Sequence, residues 1–427
     1  MSTTPNRSLL VIAYYFPPLG LSGVQRTLKF VKYLPSFGWQ PTVLTVTPTG
    51  YFAQDYSLLD ELLPLHIDIV RAGSLDPNRI FRKKGVVKMP SERVRKLLSF
   101  ASDTFFIPDN KLGWKRKAIK AAGALFEKQH FDAVFSTAPP FTDFLIGAEL
   151  ARKYKRPLVL DYRDAWHDNP LKSYPTPLHR IWNKRLEKRA LHASSRILTT
   201  NRRVKELILQ RYRFLAYNDI SILPQGFDPE DFAQTVQPRP PDGRMRITHS
   251  GVFYADRSPV RFLQGLKAAL DRKPELRKSI EARFVGNFQD EYRLLVQTMG
   301  LEENVVITGY LEHLHCVREL MESDLLWFTL TDDTQSPGKV YEYLGARKPI
   351  LACTRDGFIR QTVEEAGAAI VVDPDDPGKI ADGIIAFHEK FKAGKLPRPD
   401  EEVVKRYDRV SLTFELSKIL GFLVDTP

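Results

Sequence analysis

Short apolar runs alternate with stretches of helical period along this chain, in two successive series, and that rhythm fits a parallel α/β architecture. The first series has strand-like runs at 9–15, 42–46, 133–137, 157–161 and 196–200. Its first helix carries Val24, Leu28, Val31 and Leu34 on one face and stops near Gly38. Residues 72–110 break the rhythm: they are polar, basic and Pro-bearing, and with Lys115-Arg116-Lys117 they form an insertion of about 72–117. The second series has runs at 245–249, 282–285, 304–308, 325–330, 349–352 and 369–372. Between the two lies Gln237-Pro238-Arg239-Pro240-Pro241-Asp242-Gly243, a stiff polar linker. A last amphipathic stretch, 401–424, carries Leu412, Leu416, Leu420 and Leu423. At 427 residues one core is too few. The expectation is two doubly wound Rossmann-like domains facing a cleft: residues 1–230, then 231–400, with 401–427 as a terminal helix.

The net charge of +12 is unevenly placed. Residues 1–225 hold 36 Lys and Arg against 18 Asp and Glu, while 226–427 hold 27 against 33. A basic first half points to an anionic partner such as a membrane, a lipid phosphate or a nucleic acid. Cys316 and Cys353 offer neither metal spacing nor a disulfide framework, so a reducing, cytoplasmic location is expected. The run Leu9–Phe16 could be taken for a signal-peptide core. It leads into Pro17-Pro18 without a small-residue cleavage site, so it reads as a first buried strand.

The motif richest in chemistry is Ser336-Pro337-Gly338-Lys339-Val340-Tyr341-Glu342-Tyr343-Leu344. Ser336 is a candidate cap, Pro337 suits a first turn, and Gly338 permits close approach to the backbone. Helix amides with a Lys in the first turn make an anion site, and Glu342 lies three residues on along the same face. That arrangement suits a nucleoside diphosphate, with phosphates at the tip and ribose hydroxyls on the carboxylate. The bland alternative is a surface Lys–Glu pair.

In the first domain the Gly20–Gly23 loop sits at a strand's carboxyl end, with Arg26 on the helix that follows. It lacks the three spaced glycines of a dinucleotide site, which disfavours a nicotinamide enzyme; with Arg26 it reads as the lining for an anionic or sugar ligand, and a tight turn is the plain alternative. Asp161-Tyr162-Arg163-Asp164-Ala165-Trp166-His167-Asp168 also follows a strand-like run, and reads either as a polar pocket or as a solvated loop with internal ion pairs. His167 is there a candidate base. Asp332-Asp333 lacks further ligands at convincing spacing, and Asp373-Pro374-Asp375-Asp376-Pro377 reads as an acidic turn, so no metal is expected. Arg82, Lys83, Lys84, Lys88, Arg93, Arg95 and Lys96 stand beside Phe100, Phe105 and Phe106. Cations and rings together suit a membrane interface or single-stranded nucleic acid; the alternative is a solvated basic insertion.

These pieces together resemble a GT-B glycosyltransferase of the retaining family 4 type over nearly the whole chain. The likeness rests on Tyr14-Tyr15-Phe16-Pro17-Pro18 with Gly20 and Gly23, Lys32-Tyr33-Leu34-Pro35, Phe37-Gly38-Trp39, Asp161-Tyr162-Arg163-Asp164 and Leu223-Pro224-Gln225-Gly226-Phe227-Asp228. It continues through Ser250-Gly251, Arg257, Gly309-Tyr310 and Lys339–Leu344. The resemblance implies a nucleotide-sugar donor in the second domain. Glu342 would match the ribose-binding carboxylate, and Lys339 with the amides of Gly338–Val340 the diphosphate site. Gly251 would line it, and Arg257 would be a second phosphate cation, so that Arg257 and Lys339 carry catalysis. Gly20, Gly23, Arg163, Asp164 and His167 would face the acceptor. Such enzymes are usually metal-independent and need no cofactor, and their terminal helix often returns to the first domain. The family pattern has a glutamate eight positions before the ribose-binding one, and here that position is Thr334.

The expected activity is therefore sugar transfer to a polysaccharide, lipid-linked or lipopolysaccharide-type acceptor by a cytoplasmic protein, peripheral on the inner membrane face. A nucleotide-sugar epimerase on a similar fold is one alternative, and would need cleft acid/base groups for which His167 is the loose candidate. A basic membrane- or nucleic-acid-binding protein without catalysis is the other. It would leave the phosphate-cradling helix start without a purpose, and nucleic acid is the less favoured partner.

Overall fold

The computed structural model describes residues 7–20, 22–48, 54–75, 92–169, 172–233, 243–253 and 257–425, without the side chains of Ser22 and of residues 92–96. Residues 237–242 of the linker and the cations Arg82, Lys83, Lys84 and Lys88 lie outside the described residues. Two compact units form: Met1–Gln225 with Arg409–Pro427, and Gly226–Asp408.

Among the described residues the first unit holds seven strands: β1 (Arg7–Ile12), β2 (Trp39–Val46), β3 (Asp68–Ala72), β4 (Ala133–Ala138), β5 (Leu158–Tyr162), β6 (Arg196–Thr199) and β7 (Ile220–Ile222). They run parallel in the order β3-β2-β1-β4-β5-β6-β7. β4 and β5 are buried along their whole length, as strands covered by helices on both faces must be, and they read as apolar runs for that reason. β3 and β7 are the edges, short and half-exposed, and neither was expected from the sequence. The helix Ser22–Tyr33 buries Val24, Leu28 and Val31, then tightens into a 3₁₀ turn over Leu34–Phe37. Gly38 at φ 79° ends it, returning its amide to Pro35, a conformation that favours glycine.

The expected insertion contains its own helix, Glu92–Phe105, and its last cations belong to the helix Lys115–Lys128, where Lys115 pairs with Glu149 at 2.9 Å. The stretch expected as one terminal helix is two. Glu401–Lys405 belongs to the second unit, and Arg409–Asp425 to the first, where Leu412, Leu416 and Leu420 join the core. Asp425 meets Arg7 at 2.9 Å.

The second unit has β8 (Met245–Ser250), β9 (Ile280–Val285), β10 (Val305–Gly309), β11 (Leu325–Leu330), β12 (Ile350–Thr354) and β13 (Ala369–Val372). All are parallel, in the order β10-β9-β8-β11-β12-β13. Strand order thus reverses at β1/β4 in one sheet and at β8/β11 in the other. Open sheets of this kind bind ligands at the carboxyl ends of such pairs. Among the described residues no helix is long and apolar enough to cross a membrane.

Candidate functional site

At the β8/β11 switch point the helix Gly338–Gly345 begins. Its N-cap position is Pro337, not the expected Ser336, whose hydroxyl instead meets the Tyr341 hydroxyl at 2.9 Å. The Val340 amide, expected to face the diphosphate, donates to the Pro337 carbonyl at 3.2 Å, so Gly338 and Lys339 are the amides at the tip. A side chain at Gly338 would point into open space.

Lys339 reaches back across the end of β8 and donates to the Ser250 carbonyl. A Cβ on Gly251, whose φ is 143°, would land on the Lys339 ammonium. Gly251 in turn hands its amide to Val285 at 2.6 Å, and a Cβ on Gly286 would land on the Gly251 carbonyl. Gly286 passes its own amide to Gly309 at 2.8 Å. All three glycines have positive φ, so they line the ends of β8, β9 and β10 with bare backbone in a conformation that favours glycine.

Ser250 is held from three directions. Its amide donates to the Tyr343 hydroxyl and its hydroxyl meets Cys316 Sγ, each at 2.8 Å, while Lys339 takes its carbonyl. Burial pushes the Lys339 pKa down and that of Cys316 up to about 11, and the half-buried Glu342 lies close enough for its charge to reach both. His249, one residue earlier on β8, donates from Nδ1 to the Trp327 carbonyl at 3.1 Å. Burial and then the Lys339 charge hold its pKa at about 3, so it sits under the site as a neutral ring. Arg257 donates to Gln335 Oε1. Asp332 Oδ1 accepts from the Thr334 amide (2.9 Å) and hydroxyl (2.6 Å) and the Gln335 amide (2.9 Å), the geometry of a turn. The unit thus brings Gly251, Gly338, Lys339 and Glu342 to one strand end. Gly286 was missed, because a lone glycine after a strand reads as a turn; Ser250 and Tyr343 stood in the quoted motifs without a role, because their bond to each other joins distant parts of the chain.

In the first unit the switch point is closed by a residue the sequence reading passed over. Asp143, fully buried, accepts from the Tyr14 amide at 2.8 Å, joining the end of β1 to the helix that follows β4. Its other oxygen is buried without a hydrogen-bond partner among the described residues, and burial raises its pKa well above the usual range. Arg163 lies buried beside it, donating to the carbonyls of Gly23, Ala138 and Pro139, so it ties loops together around a half-buried Gly23. Gly20 is buried and Asp164 half-buried. Arg26 does not line a ligand loop as expected. It is wholly buried, bonded to Asp161 at 2.8 Å and to the carbonyls of Leu223 and Pro224. Asp161 also accepts from Thr137 at 2.9 Å.

His167 is buried, and its Nε2 accepts from Arg180 at 3.1 Å, which puts the proton on Nδ1. Burial, then the Arg211 charge, depress its pKa to about 4. In this arrangement neither ring nitrogen is placed to take a proton from an acceptor.

Beneath the same region Glu187 is fully buried, accepting from the hydroxyls of Tyr212 (2.7 Å) and Tyr162 (3.4 Å). Burial raises its pKa from 4.5 to about 7. The folded state therefore keeps a proton that the unfolded chain has released, and stability falls as pH rises through that window. Thermal unfolding of the wild type should lose stability between about pH 5 and about pH 8, and Glu187→Gln should flatten the curve. Parallel curves for the two proteins would remove Glu187 as the cause.

Two family profiles match the chain: Glycosyltransferase Family 4 over residues 22–231 and Glycosyl transferases group 1 over residues 251–390. The chain belongs to the group 1 glycosyltransferases of the GT-B type. Among solved structures it is similar to a glycosyltransferase from Rickettsia africae (14% identity, TM-score 0.66, covering 99% of this chain and 100% of that one). It is also similar to HepE of Anabaena in complex with UDP (14%, 0.62, 97% and 99%) and to the lipopolysaccharide outer core galactosyltransferase WaaB (13%, 0.56, 97% and 99%). No curated protein matches it.

Proposed function

We propose that this glycosyltransferase takes its sugar from a nucleoside diphosphate donor held at the β8/β11 switch point, and transfers it with retention to a polysaccharide, lipid-linked or lipopolysaccharide-type acceptor. The observation that carries the reading is Lys339 at a helix tip, set against the bare backbone of Gly251. The UDP in the Anabaena structure and the galactosyltransferase activity named for WaaB support it.

Breaking the anomeric C–O bond builds negative charge on the departing diphosphate. Lys339, the tip amides and Arg257 stabilise that charge more than they stabilise the bound donor, which is what accelerates the step. Retention follows if the acceptor enters on the face the leaving group departs, so no protein nucleophile or metal is required. Gly20, Gly23, Arg163, Asp164 and His167 lie at the acceptor side, with Arg163 and His167 shaping it rather than exchanging protons. On this reading the protein works in the cytoplasm, peripheral on anionic membrane through the basic 82–117 segment.

Glu342→Ala should weaken UDP binding by roughly 1.5–3 kcal/mol, the loss of a charge-assisted hydrogen bond to a ribose hydroxyl. Calorimetry measures it, and an unchanged affinity would take Glu342 out of the site. The anomeric configuration of the product by NMR tests retention, and full activity in excess EDTA tests metal independence.

A further inference from the structure

The helix Glu92–Phe105 is built inside out. From residue 97 onward every exposed position is apolar: Leu97, Leu98, Phe100, Ala101 and Phe105, with Leu97 68% and Phe105 79% exposed. Their spacing covers one face of the helix. The polar positions Ser99, Ser102, Asp103 and Thr104 are half-buried: Asp103 accepts from the Ser173 amide and the Thr104 backbone carbonyl accepts from His179 Nε2, both at 3.0 Å. His179 lies on the helix Pro177–Ala193, so the two helices join there. That second helix exposes Leu178, Ile181 and Trp182 in its first two turns, then Lys184, Arg185, Lys188 and Arg189. Its single acidic residue, Glu187, is buried.

An apolar face of this extent, backed by polar contacts to its own unit and bordered by like charges, is not an ordinary solvated surface. We infer that the joined faces of these two helices seat the first unit on an anionic lipid bilayer, with Phe105 and Trp182 among the side chains entering the headgroup layer. Rings and aliphatic side chains fit the acyl boundary while Lys and Arg meet lipid phosphates. A two-fold contact with a second copy is disfavoured, because it would set the cations of the Pro177–Ala193 helix against an identical set. The inference deepens the proposed acceptor reading: it rests on a lipid-linked acceptor, and it extends the docking from the 82–117 segment, which holds the Glu92–Phe105 helix, to the apolar and basic face of the Pro177–Ala193 helix.

The full-length protein supplies its own probe. Of five tryptophans, Trp39, Trp114, Trp166 and Trp327 are buried and Trp182 is 53% exposed. Vesicles of equimolar phosphatidylglycerol and phosphatidylcholine should shift the emission to the blue and sediment the protein, and Trp182→Phe should abolish the shift. Vesicles of phosphatidylcholine alone should bind far less. Phe105→Ser with Trp182→Ser should weaken sedimentation at least about tenfold at low and at high salt, because the lost contact is apolar. Arg185→Ser with Lys188→Ser and Arg189→Ser should weaken it at low salt, where screening is least. Equal sedimentation of the Phe105/Trp182 variant, no emission shift, or a dimer dissolved by those substitutions would overturn the docking. UDP affinity is read in parallel: failed docking with UDP binding intact leaves the transferase reading standing, and lost UDP binding in the wild type sinks that reading instead.

Discussion

Replacing Lys339 by Ala lowers turnover at saturating donor by about a hundredfold or more, with a smaller loss of donor affinity, because its charge counts most as the diphosphate leaves. The expected split between kcat and KM is the signature, since a residue serving ground-state binding alone would raise KM at constant kcat. Gly251→Ala is its companion. The added methyl occupies the place of the Lys339 ammonium, and the φ of 143° strains any residue with a Cβ. It should mimic the Lys339 variant in turnover while retaining the lysine. Steady-state kinetics with a sugar-nucleotide panel and the natural acceptor class reads both. Wild-type turnover in either variant would remove this helix tip from the chemistry.

Asp161→Asn should be the most damaging single change to the first unit, although the residue sits in a motif that looks functional. The carboxylate is fully buried and neutralises Arg26, also fully buried, at 2.8 Å. Removing one partner of such a pair leaves a buried charge uncompensated and costs about 3–5 kcal/mol. Urea unfolding followed by circular dichroism should show the early loss of one transition, because two units of this size need not unfold together. Replacing Arg26 and Asp161 jointly by Met and Leu should cost much less than Asp161→Asn alone. Equal losses for the single and double variants would mean that packing, not charge, sets the penalty.

Strands buried on both faces, such as β4, β5 and β12, could be read directly from apolar runs. β3 and β7 could not, since an edge strand is half-wet and its composition is that of a loop. The helix tip at Lys339 was legible because its chemistry is local: cap region, glycine, cation and carboxylate within one turn. Arg26 was misread for the converse reason. It too stands in the first turns of a helix after a glycine loop, but its fate is set by Asp161, far along the chain. Asp143 looks like any acid at a helix start until the β1/β4 crossing carries the Tyr14 amide onto it. The Glu92–Phe105 helix was taken for part of an irregular insertion because its apolar residues face away from the unit it belongs to.

The path of the chain between its units sets an order of assembly. The core of the first unit takes in Leu412, Leu416 and Leu420, which a ribosome delivers after everything in the second unit. Each buried leucine contributes about 1.5–3 kcal/mol, so their combined absence is comparable with the whole stability of a domain. Vectorial synthesis usually favours the unit that emerges first. Here residues 1–225 must wait, with an apolar seam uncovered, while 226–408 emerges with all its strands in hand. The later-made half is the earlier-finished one, and a nascent chain of this protein can have a formed donor-side sheet before its amino-terminal half is complete.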